Sequence, residues 1–163
     1  MQTLDDLQRL TPSQGALLYR LVDLGYLARA QVDELINRLV SDRFAKAMDY
    51  LRFAQQLDVG VELNRPHVIS RCYYAMYHAA RALVLHVRRA DLDDHERLPA
   101  ALGQVLGTNY GDILGRWREM RNRVDYSPYA PADLASQATA AVNDAESLLA
   151  ACRDYLQNRG VSL

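Results

Sequence analysis

Residues 120–129, MRNRVDYSPY, place two arginines beside an asparagine, an aspartate and a tyrosine, directly before a proline. Arginine keeps its charge at physiological pH and presents N–H groups that match the oxygens of a phosphate. The segment is therefore either the edge of a site for a phosphate-bearing ligand or the charged side of a helix that ends near Pro128. Asp125 lies one helical turn after Arg121, so an ion pair between the two is the structural alternative to a site.

Polar side chains also recur at intervals of four and three residues between residues 66 and 90, which indicates one face of a helix. They are His67, Arg71, Tyr74, His78 and Arg81. Arginines in such a row can hold phosphates while a tyrosine ring stacks on a base. The alternative is an ordinary solvated helix face. Arg118 and Arg121 flank an apolar stripe on a later helix and are added to this set. The predicted nucleotide- or RNA-binding residues are therefore Arg71, Tyr74, His78, Arg81, Arg118 and Arg121.

Composition limits the class of protein and of ligand site. The chain has 163 residues, half of them apolar, and a formal net charge of -1, so any nucleic-acid binding must come from a local basic patch. Cys72 and Cys152 are far apart at apolar helix positions and are predicted to be reduced core residues. The sequence has no Cys/His cluster at metal-ligand spacing and no glycine-rich phosphate loop, so neither a metal nor a cofactor is predicted. The charged N-terminus and the absence of an apolar run of about 20 residues predict a cytoplasmic protein that does not enter the membrane.

Helical periodicity and the placement of Gly and Pro predict an all-α fold, with no sustained strand-like alternation. Thr11 is the expected N-cap of the first helix, Pro12 its first residue, and Gly25 its end. Asp93 or Asp94 is expected to cap the fourth helix, and His95 to cap or pack it. The five helices after the first are predicted to cover approximately residues 29–57, 66–90, 93–106, 111–126 and 131–160.

Apolar residues at spacings of three and four define the predicted core. They include Cys72, Met76, Leu83, Trp117, Val124, Leu148 and Cys152. Residues 1–39 are predicted to form a helical hairpin added to a compact bundle of residues 40–163. The hairpin either packs on the bundle or binds a partner.

Three segments in this order, SRCYYAMYHAARALVL, DDHERLPAALG and MRNRVDY, resemble the HEPN superfamily. The resemblance is to its branch of small prokaryotic helical proteins with an Arg-x-x-x-Asp-Tyr ending, and it covers about residues 40–150. It implies a HEPN-type helical bundle that forms a homodimer with a cleft at the dimer interface. It also implies a minimal nucleotidyltransferase as partner, in a toxin–antitoxin or defence pair.

In ribonucleases of this superfamily, an arginine, a polar residue and a histidine four to six positions after the arginine cut RNA without a metal. Arg121 and Asn122 match the first two, but Asp125 and Tyr126 stand where the histidine is expected. Imidazole, with a pKa of about 6.5, exchanges protons near neutral pH, whereas ordinary Tyr and Asp are poor bases there. If the protein is an enzyme, its catalytic residues are Arg121, Asn122, Asp125 and Tyr126, with His78 as a substitute base if it faces the same cleft.

The missing histidine favours binding without catalysis. The first hypothesis is thus a HEPN-like protein that binds a nucleotide or RNA. The alternatives are a metal-independent ribonuclease toxin and a non-catalytic dimeric module that binds another protein.

Overall fold

The computed structural model describes residues 9–129 and 131–163, and within them the chain is helical, without a strand. The all-α prediction is confirmed. The α-helices are α1 (Pro12–Asp23), α2 (Arg29–Gln56), α3 (Arg65–Arg88), α4 (Leu98–Leu106), α5 (Thr108–Tyr126) and α6 (Leu134–Gln157). A short 3-10 helix, Glu62–Asn64, precedes α3. Residues 1–8 of the predicted hairpin lie outside the described residues.

The ends of α1 follow from local chemistry, as predicted. The Thr11 side chain accepts from the Gln14 backbone N–H, and the Gln14 side chain accepts from the Thr11 N–H, which makes a capping box. Gly25 has a positive φ of 77°, a conformation that glycine adopts without steric cost. The sequence-based division between residues 39 and 40 falls inside α2, which runs without interruption.

The fourth helix begins later than predicted, at Leu98 rather than near Asp93. Asp94 does act as a cap, but for the turn before the helix: its Oδ1 accepts from the backbone N–H groups of Glu96 and Arg97 at 2.8 and 3.1 Å. The prediction was wrong here because a side chain that bonds its own following backbone favours a turn over a helix. This turn is what brings His95 against α3.

Helix α3 is the centre of the bundle and packs against α2, α4, α5 and α6. Six of the seven predicted core residues are buried, while Val124 is only partly buried. Trp117 is 1% exposed, and its Nε1 donates a 2.8 Å hydrogen bond to Asp144 of α6. The predicted core therefore holds α3, α5 and α6 together and fixes the side chains that project from α3 and α5.

The segment before α1 packs at the C-terminal end of α3. Leu10 is fully buried, and its carbonyl accepts a 2.7 Å hydrogen bond from the Asp91 backbone N–H. A Cβ at Gly15 would lie 2.5 Å from the Arg89 carbonyl oxygen, so only glycine permits this approach. The start of the described chain is thus part of the bundle.

Candidate functional site

Arg121 lies at the centre of a group of tyrosines between α3 and α5. Its guanidinium carbon is 5.2, 5.1 and 5.6 Å from the ring centroids of Tyr73, Tyr74 and Tyr126. Nη2 donates to the Tyr74 hydroxyl at 3.0 Å, and Nη1 donates to Asn122 Oδ1 at 3.0 Å and to the Tyr126 hydroxyl at 3.2 Å. We call Arg121 with these four residues the Arg121 cluster. It combines a cation with aromatic rings, which is the composition of a phosphate- and base-binding surface.

The predicted ion pair is present, but it is long. Arg121 Nε lies 3.7 Å from Asp125 Oδ2, and that carboxylate oxygen also accepts a 3.2 Å hydrogen bond from Ser70 Oγ. Nε itself is buried and makes no hydrogen bond with the described residues. The structure therefore brings together all four residues named from the sequence as catalytic in an enzyme, because Arg121 contacts Asn122, Asp125 and Tyr126.

Burial differs sharply within the cluster. Arg121 is 8% exposed, whereas Tyr126 is 73% exposed and Asn122 is also exposed. A ligand in solution therefore meets Asn122 and Tyr126 first. Both accept from Nη1, so a phosphate oxygen that displaced either one would gain a charge-assisted hydrogen bond.

An imidazole lies next to the cluster, but it comes from an unexpected position. The Tyr73 hydroxyl and His95 Nδ1 are 2.5 Å apart, and His95 stacks on Tyr77 with ring centroids 4.0 Å apart. Burial, followed by the charge of Arg121, lowers the pKa of His95. Burial raises the pKa of Tyr73, against the effect of Arg121. Because Tyr73 is 1% exposed, its hydroxyl cannot pass a proton from His95 to a substrate at the surface of the single chain.

Arg118 supports this arrangement. Its Nη1 donates a 3.3 Å hydrogen bond to the His95 carbonyl, which ties α5 to the turn before α4. Sequence reasoning assigned His95 to capping or packing and did not predict its contact with Tyr73. No helical spacing could have shown that contact, since His95 lies outside a helix.

Arg81 is engaged inside the protein. Its Nε and Nη2 donate to the two carboxylate oxygens of Asp91 at 3.2 and 2.5 Å. Arg43 of α2 lies 3.1 Å from the same carboxylate, whose side chain is 1% exposed. A buried aspartate that is ion-paired with two arginines has a structural role. Arg81 therefore stabilises the C-terminal end of α3, near Leu10, and is not available to a ligand there.

His78 also packs inside the bundle. Its ring stacks on Tyr50 of α2 with centroids 5.4 Å apart and planes within 6°, and it meets Tyr77 edge-on. Burial, with a smaller contribution from Lys46, lowers the pKa of His78 to about 4. These contacts turn the imidazole toward α2, so His78 does not stand beside Arg121 as a substitute base.

Arg71 lines a different feature, a cavity of about 400 Å³ between α2 and α3. Its lining residues are Lys46, Asp49, Tyr50, Phe53 and Arg71. The Arg71 guanidinium carbon is 5.8 Å from the Tyr50 ring centroid and 5.6 Å from that of Phe53. We call this feature the α2–α3 cavity.

Sequence reasoning identified only Arg71 among these lining residues. The α2 residues were missed, although the positions 46, 49, 50 and 53 repeat at helical spacing and carry charged or aromatic side chains. The predicted row on α3 thus does not form one surface: Tyr74 meets Arg121, Arg71 and His78 meet α2, and Arg81 binds Asp91. His67 is exposed.

Within residues 9–129 and 131–163, no group of three or more His, Cys, Asp or Glu side chains is arranged to hold a metal ion. In the same part of the chain, no helix combines the length and the apolar character that crossing a bilayer requires. No protein-family model matches the sequence, and no curated protein matches it significantly.

Proposed function

We propose that this protein is a HEPN-like helical module that binds a nucleotide or RNA through the Arg121 cluster without cleaving it. In this proposal it works with a minimal nucleotidyltransferase in a toxin–antitoxin or defence pair, which is what the resemblance of the three sequence segments implies. The observation that carries the binding proposal is the Arg121 guanidinium, which lies among three tyrosine rings and donates to the exposed Asn122 and Tyr126.

The chemistry of the cluster supports binding more than cleavage. Asp125 is already engaged by Ser70 and Arg121, and Tyr126 receives a hydrogen bond from a cation at its hydroxyl. Imidazole is the side chain best suited to exchange protons near neutral pH, and the imidazole of His95 contacts the cluster at the buried hydroxyl of Tyr73. A phosphate held by Arg121, with a base stacked on Tyr126, uses the cation of the cluster and its most exposed ring.

The proposal includes a homodimer. Tyr126 and Tyr129 are 73% and 82% exposed at the end of α5, and aromatic residues are enriched in protein interfaces. Sedimentation equilibrium at micromolar concentration tests this directly. A single species at the mass of one chain, 18.4 kDa, would contradict the dimer and any site shared between subunits.

Fluorescence anisotropy with a labelled single-stranded RNA tests the binding proposal. Replacing Arg121 with alanine should weaken binding about ten- to a hundred-fold, because a charge-assisted hydrogen bond to phosphate is lost. Binding should also weaken as salt rises, because phosphate contacts release counterions. Arg20→Ala is the matched control, since Arg20 is an exposed arginine of α1 outside the cluster.

Since Arg121 is buried, Asn122→Ala and Tyr126→Ala are needed as exposed variants that preserve the fold. Normal RNA affinity in all three variants would overturn the proposal. RNA cleavage that persists in EDTA and disappears with Arg121→Ala would instead support the ribonuclease. The proposal is supported if the wild type binds RNA strongly, the three variants bind it weakly, and the RNA is recovered intact.

A further inference from the structure

The α2–α3 cavity has a charge pattern that is not balanced within the protein. Among the described residues, Arg71 and Lys46 form no ion pair, whereas Asp49 is paired with Arg52. Arg71 Nε is buried and lacks an acceptor within the same residues. Two cations of the lining therefore keep unused capacity for an anionic group, and the one carboxylate of the lining, Asp49, has Arg52 as its own partner.

The aromatic side of the cavity combines one exposed ring with one ring that is held by stacking partners. Phe53 is 47% exposed although it is a large apolar ring. Tyr50, the other ring of the lining, stacks on His78 at 5.4 Å and on Tyr74 at 5.5 Å between centroids. A ring that is held by stacking partners, as Tyr50 is, offers a planar ligand a surface that needs little reordering on binding.

The size of the cavity matches a small ligand. Its volume of about 400 Å³ lies near the lower end of the roughly 300 to 1,000 Å³ of small-molecule pockets. A planar ring with one anionic group fits the combination of two aromatic side chains and two cations. A longer polymer could place one such unit in the cavity while the rest lies outside.

We infer that the α2–α3 cavity binds one nucleoside monophosphate unit, with the base against Phe53 and Tyr50 and the phosphate at Arg71 and Lys46. This inference rests on the proposed function and names a second subsite for the same class of ligand. Tyr74 connects the two subsites, because its ring stacks on Tyr50 and its hydroxyl accepts from Arg121. The unit is either a free mononucleotide or one residue of a single-stranded RNA that continues toward Arg121.

Isothermal titration calorimetry with AMP, adenosine and a short oligoadenylate tests the inference on the full chain. AMP should bind at least tenfold more tightly than adenosine, because only AMP carries the phosphate. Phe53→Ala should weaken AMP binding about tenfold through lost stacking, and Arg71→Ala about ten- to a hundred-fold through the lost charge. Arg20→Gln and Tyr26→Ala are matched controls, since this arginine and this exposed ring do not line the cavity.

Circular dichroism melting must show that each variant is folded. Phe53 and Arg71 are partly exposed, so we expect both cavity variants to fold. The inference holds if AMP or the oligoadenylate loses affinity in both cavity variants and not in the controls. If the cavity variants weaken the binding of AMP itself, the ligand is a free mononucleotide. If they weaken only the binding of the oligoadenylate, the ligand is an RNA strand. Oligoadenylate binding that depends on Asn122 and Tyr126 but not on Phe53 or Arg71 overturns this inference and leaves the proposed function standing. The absence of binding by all three probes at millimolar concentration overturns both.

Discussion

Nη2 of Arg121, on α5, donates a 3.0 Å hydrogen bond to the hydroxyl of Tyr74, on α3. Tyr74 also stacks on Tyr50 of α2, so one side chain of the Arg121 cluster touches the lining of the α2–α3 cavity. Tyr74→Phe keeps the ring and removes the hydroxyl, and it therefore separates the two contacts experimentally.

Arg121→Ala should lower the free energy of unfolding by about 1 to 3 kcal/mol, because the Tyr74 hydroxyl and other acceptors lose a charged donor. Asp125→Ala should lower it less, because the Arg121–Asp125 distance is 3.7 Å and the Asp125 side chain is 29% exposed. Urea unfolding of both variants measures the difference. An equal loss in the two would mean that the ion pair, rather than the tyrosine contacts, is the main reason for Arg121.

Trp117→Ala should lower the free energy of unfolding by about 3 to 5 kcal/mol, since the ring is 1% exposed and its loss leaves a large cavity. Asp144→Ala is the comparison, because it removes only the acceptor of the indole N–H and of the Arg116 side chain. Thermal and urea unfolding would measure both. A loss below about 1 kcal/mol for Trp117→Ala would show that this face of α5 does not carry the core.

Asp91→Ala should be among the most damaging single changes, at about 3 to 5 kcal/mol, because it leaves Arg43 and Arg81 buried without their anion. Asp93→Ala is the matched control: its partner is Arg9, both side chains are about half exposed, and the expected cost is below about 1 kcal/mol. Chemical denaturation compares the two. Similar small losses for both aspartates would mean that water reaches Asp91 in solution.

Stability should fall as the pH is lowered from about 6.5 to about 4, in part because of His78. Burial and then Lys46 lower the pKa of His78 in the folded chain to about 4, so between these values the unfolded chain binds more protons. The free energy of unfolding therefore rises with pH across this window and levels off above it.

His78→Gln removes this contribution. The pKa values of His86 and His95 are also lowered, and they act in the same direction, so the informative quantity is the wild type minus variant difference. That difference should be larger at pH 7 than at pH 4. A difference that does not change with pH would mean that His78 is not depressed in the folded state.

Most of the fold was predictable because it depends on local chemistry and on periodicity. The Thr11 capping box and Gly25 fix the ends of α1 through bonds between near neighbours. The 3-and-4 spacing identified Trp117 and Cys72 as core because a helix places such residues on one face. Val124 is only partly buried, since spacing indicates a face but not how far the packed neighbours extend along it.

The site was predictable only within single helices. The association of Arg121 with Asn122, Asp125 and Tyr126 follows from positions within one or two turns of α5. Contacts between elements, such as Arg121 to Tyr74 and Tyr73 to His95, depend on how α3 docks on α5 and on the turn before α4. Arg81 shows the same limit, because its partner Asp91 lies beyond the end of its helix.

The central position of α3 has a consequence for folding order. Helices α2 and α3 are consecutive in the chain and pack against each other, so this pair can form through local contacts as the chain is made. Helix α3 also packs against α6, which comes last among the six helices and whose buried Ala138, Ala141 and Ala145 allow close approach. The part of the apolar surface of α3 that meets α6 therefore stays uncovered until α6 has been synthesised. A nascent chain that has reached only α5 exposes that surface to chaperones and to aggregation.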